Sequence, residues 1–315
     1  MGRKEAISKA REGENLRLMA RYNQDEYIED NINQILNDAA QYFKEATTED
    51  STYAWAWAHW GVTLSYLGGI EKRLNPSKSN FYNEADSKYE NAIQCNPNYA
   101  WALAHRGENK IWWAIDQKTR GIDKNVKILL TDAEQYLNQA IEIDANYTWA
   151  YVRRGFVYRF LGLLNGEDGG GQGTQQQPYY DRAIQDFNSA IQGNDKYAWA
   201  RAFRAVVHRQ KARALQDAGL IEEARREWEL TYQDVETALK TYAKVFKRPK
   251  VLDLGFLFLP PYENPRETHS FDESPSGQYA QLALHAYEEG YERLNKEEID
   301  RVLANIAKEW VSVAQ

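Results

Sequence analysis

Residues 82–107, YNEADSKYENAIQCNPNYAWALAHRG, decide the fold. Ala85, Tyr89 and Ala92 fall at i, i+4 and i+7, which places them on one face of a helix. Two alanines on that face let a neighbouring helix come close, and the tyrosine between them fills the space. Asn96-Pro97 stops this helix, because proline supplies no N–H to continue it. Tyr99-Ala100-Trp101-Ala102 then opens a second helix, and Gly107 leaves it a bare spot where a partner can cross. The stretch therefore reads as two helices joined by a tight turn.

The same pattern recurs along the chain. Tyr53-Ala54-Trp55-Ala56, Tyr99-Ala100-Trp101-Ala102, Tyr147-Thr148-Trp149-Ala150 and Tyr197-Ala198-Trp199-Ala200 follow one another at steps of 46, 48 and 50 residues. Six residues after each Trp stands a small residue, Gly61, Gly107, Gly155 or Ala205. The apolar triplet recurs as Ala39/Phe43/Ala46, Ala85/Tyr89/Ala92, Ala133/Leu137/Ala140 and Ala183/Phe187/Ala190. Self-similarity at such a period marks stacked supersecondary units, each burying its apolar face against its neighbours.

With these small residues and triplets at their spacing of four and three, the chain resembles the tetratricopeptide repeat (TPR) family over roughly residues 30–245. The flavour is similar to that of many bacterial, especially cyanobacterial, members. The resemblance implies an all-α fold, a right-handed superhelical solenoid of antiparallel helix pairs. Residues 1–246 would form the array, in units near 1–50, 51–97, 98–145, 146–195 and 196–246. An irregular apolar, proline-containing segment follows over 247–277, and capping helices over 278–315.

Two departures stand out. Pro97 occurs once, with Ser51, Ala145 and Asp195 in its place elsewhere. The family places about 12 residues between the first-helix glycine and the second-helix alanine. Here the gaps are 24, 26 and 28 residues. A further gap of 26 follows Ala205 if Thr231, Val235 and Ala238 form the last triplet; a phasing through Ala224 and Trp228 is the alternative. Apolar runs at 111–115 and 126–130 predict that part of each insertion lengthens the helices. Gly68-Gly69 with Asn75-Pro76-Ser77, and Gly166 through Gln177, read as loops. The second of these is glycine-rich but lacks the Lys-Ser/Thr or preceding strand that a phosphate cradle needs.

Bulk properties set the outer limits. The 315 residues carry a formal charge of −7, with 43% hydrophobic and 13% aromatic residues. A negative chain has no general attraction for nucleic acid or anionic lipid. Arg153, Arg154, Arg159, Arg201, Arg204 and Arg209 nevertheless concentrate mid-chain. Cys95 is the single cysteine, so no internal disulfide forms. The N-terminus lacks the apolar core of a signal peptide, and no run reaches 18 apolar residues. A cytoplasmic protein is the expectation.

In the resembled family the groove is lined by first-helix side chains, one of them six residues before the small position. That position holds Trp55, Trp101, Trp149 and Trp199. Four residues on come His59, His105, Arg153 and Phe203, and five past the small residue lie Tyr66, Trp112 and Phe160. These eleven residues form a candidate partner-binding groove for an extended peptide or a helix. Aromatic side chains suit that role because they give large contact area at low entropic cost. The competing reading has each Trp wedged against the preceding second helix, and one ring can serve both ends. His59 and His105 sit at equivalent positions, but no carboxylate shares their row to complete a metal site. Stacked or solvated imidazoles are expected there, with no metal or cofactor. No nucleophile elbow, zinc motif or phosphate-loop lysine is present. The sequence thus points to a non-enzymatic scaffold, adaptor or assembly factor binding a protein or peptide partner. Self-association into a homo-oligomer and nucleic-acid binding through the central arginines are the alternatives.

Overall fold

The computed structural model describes residues 2–22, 29–74, 80–168, 176–195 and 197–245. The segment over 251–262 and the expected capping helices lie outside them, as does the side chain of Trp199. The described residues are all-α. Helices α1 (Gly2–Tyr22), α2 (Glu29–Glu49), α3 (Ala54–Leu74), α4 (Phe81–Cys95), α5 (Ala100–Thr119) and α6 (Val126–Ile143) belong to a first compact unit, Met1–Ala145. Helices α7 (Thr148–Asp168), α8 (Gln177–Gly193), α9 (Ala198–Asp217) and α10 (Ile221–Val245) belong to a second, Asn146–Gln315. Odd-numbered helices pair with the even-numbered helix that follows.

The pairs are antiparallel hairpins built on close approach. A Cβ on Gly61 would stand 2.9 Å from the Tyr89 ring, and one on Gly68 would stand 3.0 Å from Tyr82. As one helix advances by seven residues its partner recedes by seven. Gly155 against Phe187 and Gly162 against Tyr180 repeat the geometry at 2.9 and 2.7 Å. Gly13 meets Phe43 in the first hairpin and Gly107 meets Leu137 in the third. A side chain at any of these positions would wedge the helices apart.

The lengthening of each unit has a definite form: a second layer of small-against-large packing. Three residues before each triplet stand Leu36, Tyr82, Leu130, Tyr180 and Trp228, all buried. Seven past each small residue stand Ala20, Gly68, Ala114, Gly162 and Ala212. In the first four hairpins glycine stands where the facing residue is Tyr and alanine where it is Leu; the last departs from this, with Ala212 at the position facing Trp228. The seam thus continues at four-three spacing along the whole second helix, as in coiled-coil packing. Both sequence phasings of α10 fall on this seam, since Trp228 is the outer layer and Thr231 the inner one. Arg204 fixes the register: it holds Asp234, three past Thr231, as Arg154 holds Asp186, three past Ala183. Gly68-Gly69 and Gly166 are accordingly helical rather than looped. Gly68 is a packing position, not a breaker.

The turns between hairpins do not need Pro97. Each begins with Asp50, Asn96, Asp144 or Asn194, whose backbone N–H donates to the carbonyl of the last triplet alanine, Ala46, Ala92, Ala140 or Ala190. Side-chain oxygens of Asp50 and Asn96 accept the N–H two residues on, an Asx turn. The Asx residue sets the turn. At the other end, α5 and α9 close on Gly121 and Gly219, at φ of +72° and +77°. The next N–H, of Ile122 or Leu220, donates back to Gln117 or Leu215. Glycine is required at both because a Cβ is disfavoured in the left-handed region.

One further pair of positions couples the helices of four of the five hairpins, α3–α4 through α9–α10. The residue before the small position faces the one three past the triplet's first member. Lys88 lies over the Trp60 ring at 4.3 Å, and Arg106 over Tyr136 at 4.4 Å. Arg154 and Arg204 hold Asp186 and Asp234 through two donors each. A cation finds an aromatic or a carboxylate across each of these four seams, whichever helix supplies it.

Candidate functional site: the face of the first helices

In the first unit, the odd-numbered helices bring the repeated Trp and His side chains into one stack. Trp55 and His59 are one turn apart on α3, with centroids 3.8 Å apart. His59 reaches Trp101 of α5 at 4.5 Å and 12° between planes, and Trp101 reaches His105 at 4.0 Å. Tyr53 and Tyr99 flank the two indoles at 5.9 Å each. The Trp101 ring stands between the two imidazoles. They are separate members of a stack rather than two arms of a metal site. Among the described residues no group of three or more His, Cys, Asp or Glu side chains is placed to hold a metal ion.

Contrary to the sequence expectation, carboxylates do reach the histidine row. His59, 7% exposed, places Nδ1 3.0 Å from Glu14 Oε2 of α1, and Glu14 also accepts from Arg17 at 2.6 and 2.8 Å. Burial pushes the Glu14 carboxyl up, but the bonds from His59 and Arg17 outweigh it and hold it at about 2. Burial likewise pushes the His59 imidazole down, against the pull of Glu14. An ionised carboxylate only accepts, so the neutral imidazole donates Nδ1–H to Glu14. His105 Nδ1 and Glu108 Oε2 repeat the pairing at 3.1 Å within α5. Glu14 and Glu108 each directly follow their small residue. Reading Gly13 as the small residue of the first hairpin is the alignment that finds them.

The remaining candidates divide by burial. Tyr66 and Trp112 are half-buried, with the Arg17 guanidinium 5.9 Å from the Tyr66 ring. In the second unit Trp149 is half-buried beneath the Arg153 guanidinium at 5.0 Å. Phe160 and Phe203, 0% and 3% exposed, are core residues and leave the candidate face. Phe203 stacks on Phe187 at 5.7 Å and meets Phe156 edge-on at 5.8 Å. Both readings of the tryptophans find support at Trp55. Its ring packs 6.2 Å from Phe43 of the preceding second helix and still keeps solvent-facing surface.

Small residue, triplet, Asx turn and half-exposed Trp recur together in hairpin after hairpin. The repeats are TPR-like. No family model and no curated protein matches the chain. Among solved structures, the MamA protein aligns at a TM-score of 0.43 and 16% identity, over 78% of this chain and 97% of that one. A thermophilic TPR protein of Thermus thermophilus aligns at 0.40 and 16%, over 76% and 96%. A tetratricopeptide repeat protein of Parabacteroides merdae aligns at 0.39 and 16%, over 94% and 99%. All three scores lie below 0.5, and the TPR-like assignment rests on the spacing and packing within this chain. No described helix is long and apolar enough to cross a membrane.

Proposed function

We propose that the chain is a non-enzymatic protein-interaction scaffold that takes a peptide or helix of a partner on the face of its first helices. The carrying observation is a contrast between neighbouring residues. The alanine after each repeated Trp, Ala56, Ala102 or Ala150, is completely buried, as a stacking residue should be. Trp55, Trp101 and Trp149 beside them stay half-exposed in each of these copies. Large indoles held at a surface by stacking and ion-paired neighbours are pre-ordered, which lowers the entropic cost of binding. Within Met1–Ala145, Trp55, Tyr66, Trp101, His105 and Trp112 are assigned to this role, with the buried His59 holding the indoles in place; within Asn146–Gln315, taken by itself, Trp149 and Arg153 are.

Selection of a displayed random-peptide library on the full chain tests this reading. Selected peptides should bind the native protein and lose at least tenfold in affinity on Trp101→Ala, with the thermal transition largely preserved. Peptides that bind the variant equally well, or a selection that enriches nothing, would overturn it.

A further inference from the structure

Besides holding the indoles in place, His59 has a second ring nitrogen to account for. Nδ1 donates to Glu14, whose carboxyl, held at about 2, is ionised at neutral pH and can only accept. A neutral imidazole carries one proton, so fixing it on Nδ1 leaves Nε2 as a bare acceptor. Among the described residues none bonds Nε2, and although the ring is 7% exposed, this atom is not sealed from solvent.

The rings on either side are in the same condition. Trp55 and Trp101 stack on His59 at 3.8 and 4.5 Å. Neither indole Nε1–H has an acceptor among the described residues, and neither is sealed. Two other indoles of α3 differ. Trp57 Nε1 donates to the Ser51 carbonyl, and Trp60 Nε1 is enclosed. Donor, acceptor and donor thus follow one another along the stack, on rings that packing holds still.

Resting on the scaffold reading above, we propose that His59 Nε2 accepts a main-chain N–H of an extended segment of a partner protein, while the Trp55 and Trp101 indoles donate to its carbonyls. Glu14, itself held by Arg17, is then a positioning residue: it sets which nitrogen of His59 is open. Two other occupants fit less well. A helix bonds its main-chain N–H and C=O groups internally, so its sides offer these rings neither. A Lys or Arg head has donors only, which suit Nε2 but meet an N–H on each side of it. An extended main chain carries both kinds of group. At about 3.3 Å per residue, roughly two to three of its residues span the outer two rings. Such a step tolerates many side chains and rejects proline, which has no N–H.

The test takes peptides selected from the displayed library on the native chain and replaces one amide at a time by an ester, which removes an N–H and keeps the side chain. One ester should weaken binding at least tenfold in fluorescence anisotropy, as should proline at the same residue. In His59→Phe, shown folded by circular dichroism, that ester and its parent should bind within twofold of each other. Nitrogen NMR of the native chain needs neither variant nor peptide, and should find the His59 proton on Nδ1. A proton on Nε2 would overturn the inference. So would esters that all bind the native chain within twofold of the parent, an ester loss that persists in His59→Phe, or peptides that turn helical on binding. In each of those cases, peptides that bind through Trp101 leave the scaffold reading standing. A selection that enriches nothing removes both.

Discussion

In the unit Met1–Ala145 the first helices stack Trp55, His59, Trp101 and His105 and tie both imidazoles to carboxylates, Glu14 and Glu108. In Asn146–Gln315 the positions of His59 and His105 hold Arg153, which covers Trp149, and Phe203, which has sunk into the core beside Phe187. The backbone frame is the same in both: a small residue against a large one, twice per hairpin. Packing positions therefore tolerate little change, while the positions one turn away from the Trp are free to alter chemistry. One frame carries an aromatic face tied to carboxylates and one in which an arginine covers the Trp.

Phe203→Ala probes the core side of that contrast and should produce the largest effect. Removing a buried ring costs about 3–4 kcal/mol, read as a loss of stability in urea unfolding. Trp101→Ala, at a half-exposed ring, should cost about 1–2 kcal/mol. Equal losses would erase the distinction between core and face. Second only to the core ring is Asp186→Ala, which strands the Arg154 guanidinium in a part-buried seam and should cost about 2–3 kcal/mol. Lys88→Ala at the matching position of the first unit gives up a cation–π contact worth about 1 kcal/mol or less.

Acid should then act on the first unit through Glu14. Its carboxyl sits at about 2 in the fold, against an ordinary 4.5, so the folded state favours the charged form. That contribution is whole above pH 4.5 and is lost as pH falls towards 2. His59, held below its ordinary 6.5, adds a loss of the same sign, beginning as pH falls through 6.5. A decline of about 1–2 kcal/mol between pH 5 and pH 3 is expected, smaller in Glu14→Gln. An unchanged slope in that variant would detach Glu14 from the stability of the stack. Gly121→Ala and Gly219→Ala should cost about 1 kcal/mol each, because both units close a first helix on a left-handed glycine. A marked difference between the two would show that the shared frame is not energetically shared.

Much of the frame was legible because close packing is written in residue size at fixed spacing. Gly61, Gly107 and Gly155 announce the crossing, and the triplets announce what crosses. The second layer was hidden by the same logic. Gly68 beside Gly69 looks like a breaker unless Tyr82 is known to occupy the space a Cβ would take. The site was less legible. Trp and His recur visibly, but burial depends on which neighbour supplies the bulk, so Phe160 and Phe203 could not be separated from Tyr66 and Trp112 by position. Glu14 and Arg17 come from another hairpin, and Glu14 becomes legible only once Gly13 is read as that hairpin's small residue, where no Tyr-Ala-Trp-Ala phrase marks it.

The complementary pairs Trp60/Lys88, Arg106/Tyr136, Arg154/Asp186 and Arg204/Asp234 each close within a single hairpin. A duplicated hairpin therefore arrives with both halves of its own lock, and nothing need be re-matched before it can be spliced in. Arrays of this kind can lengthen by copying and then diversify on the exposed side. Transplanting α7–α8 as a block should carry its internal fit along, whereas exchanging α7 alone would set Arg154 against a stranger.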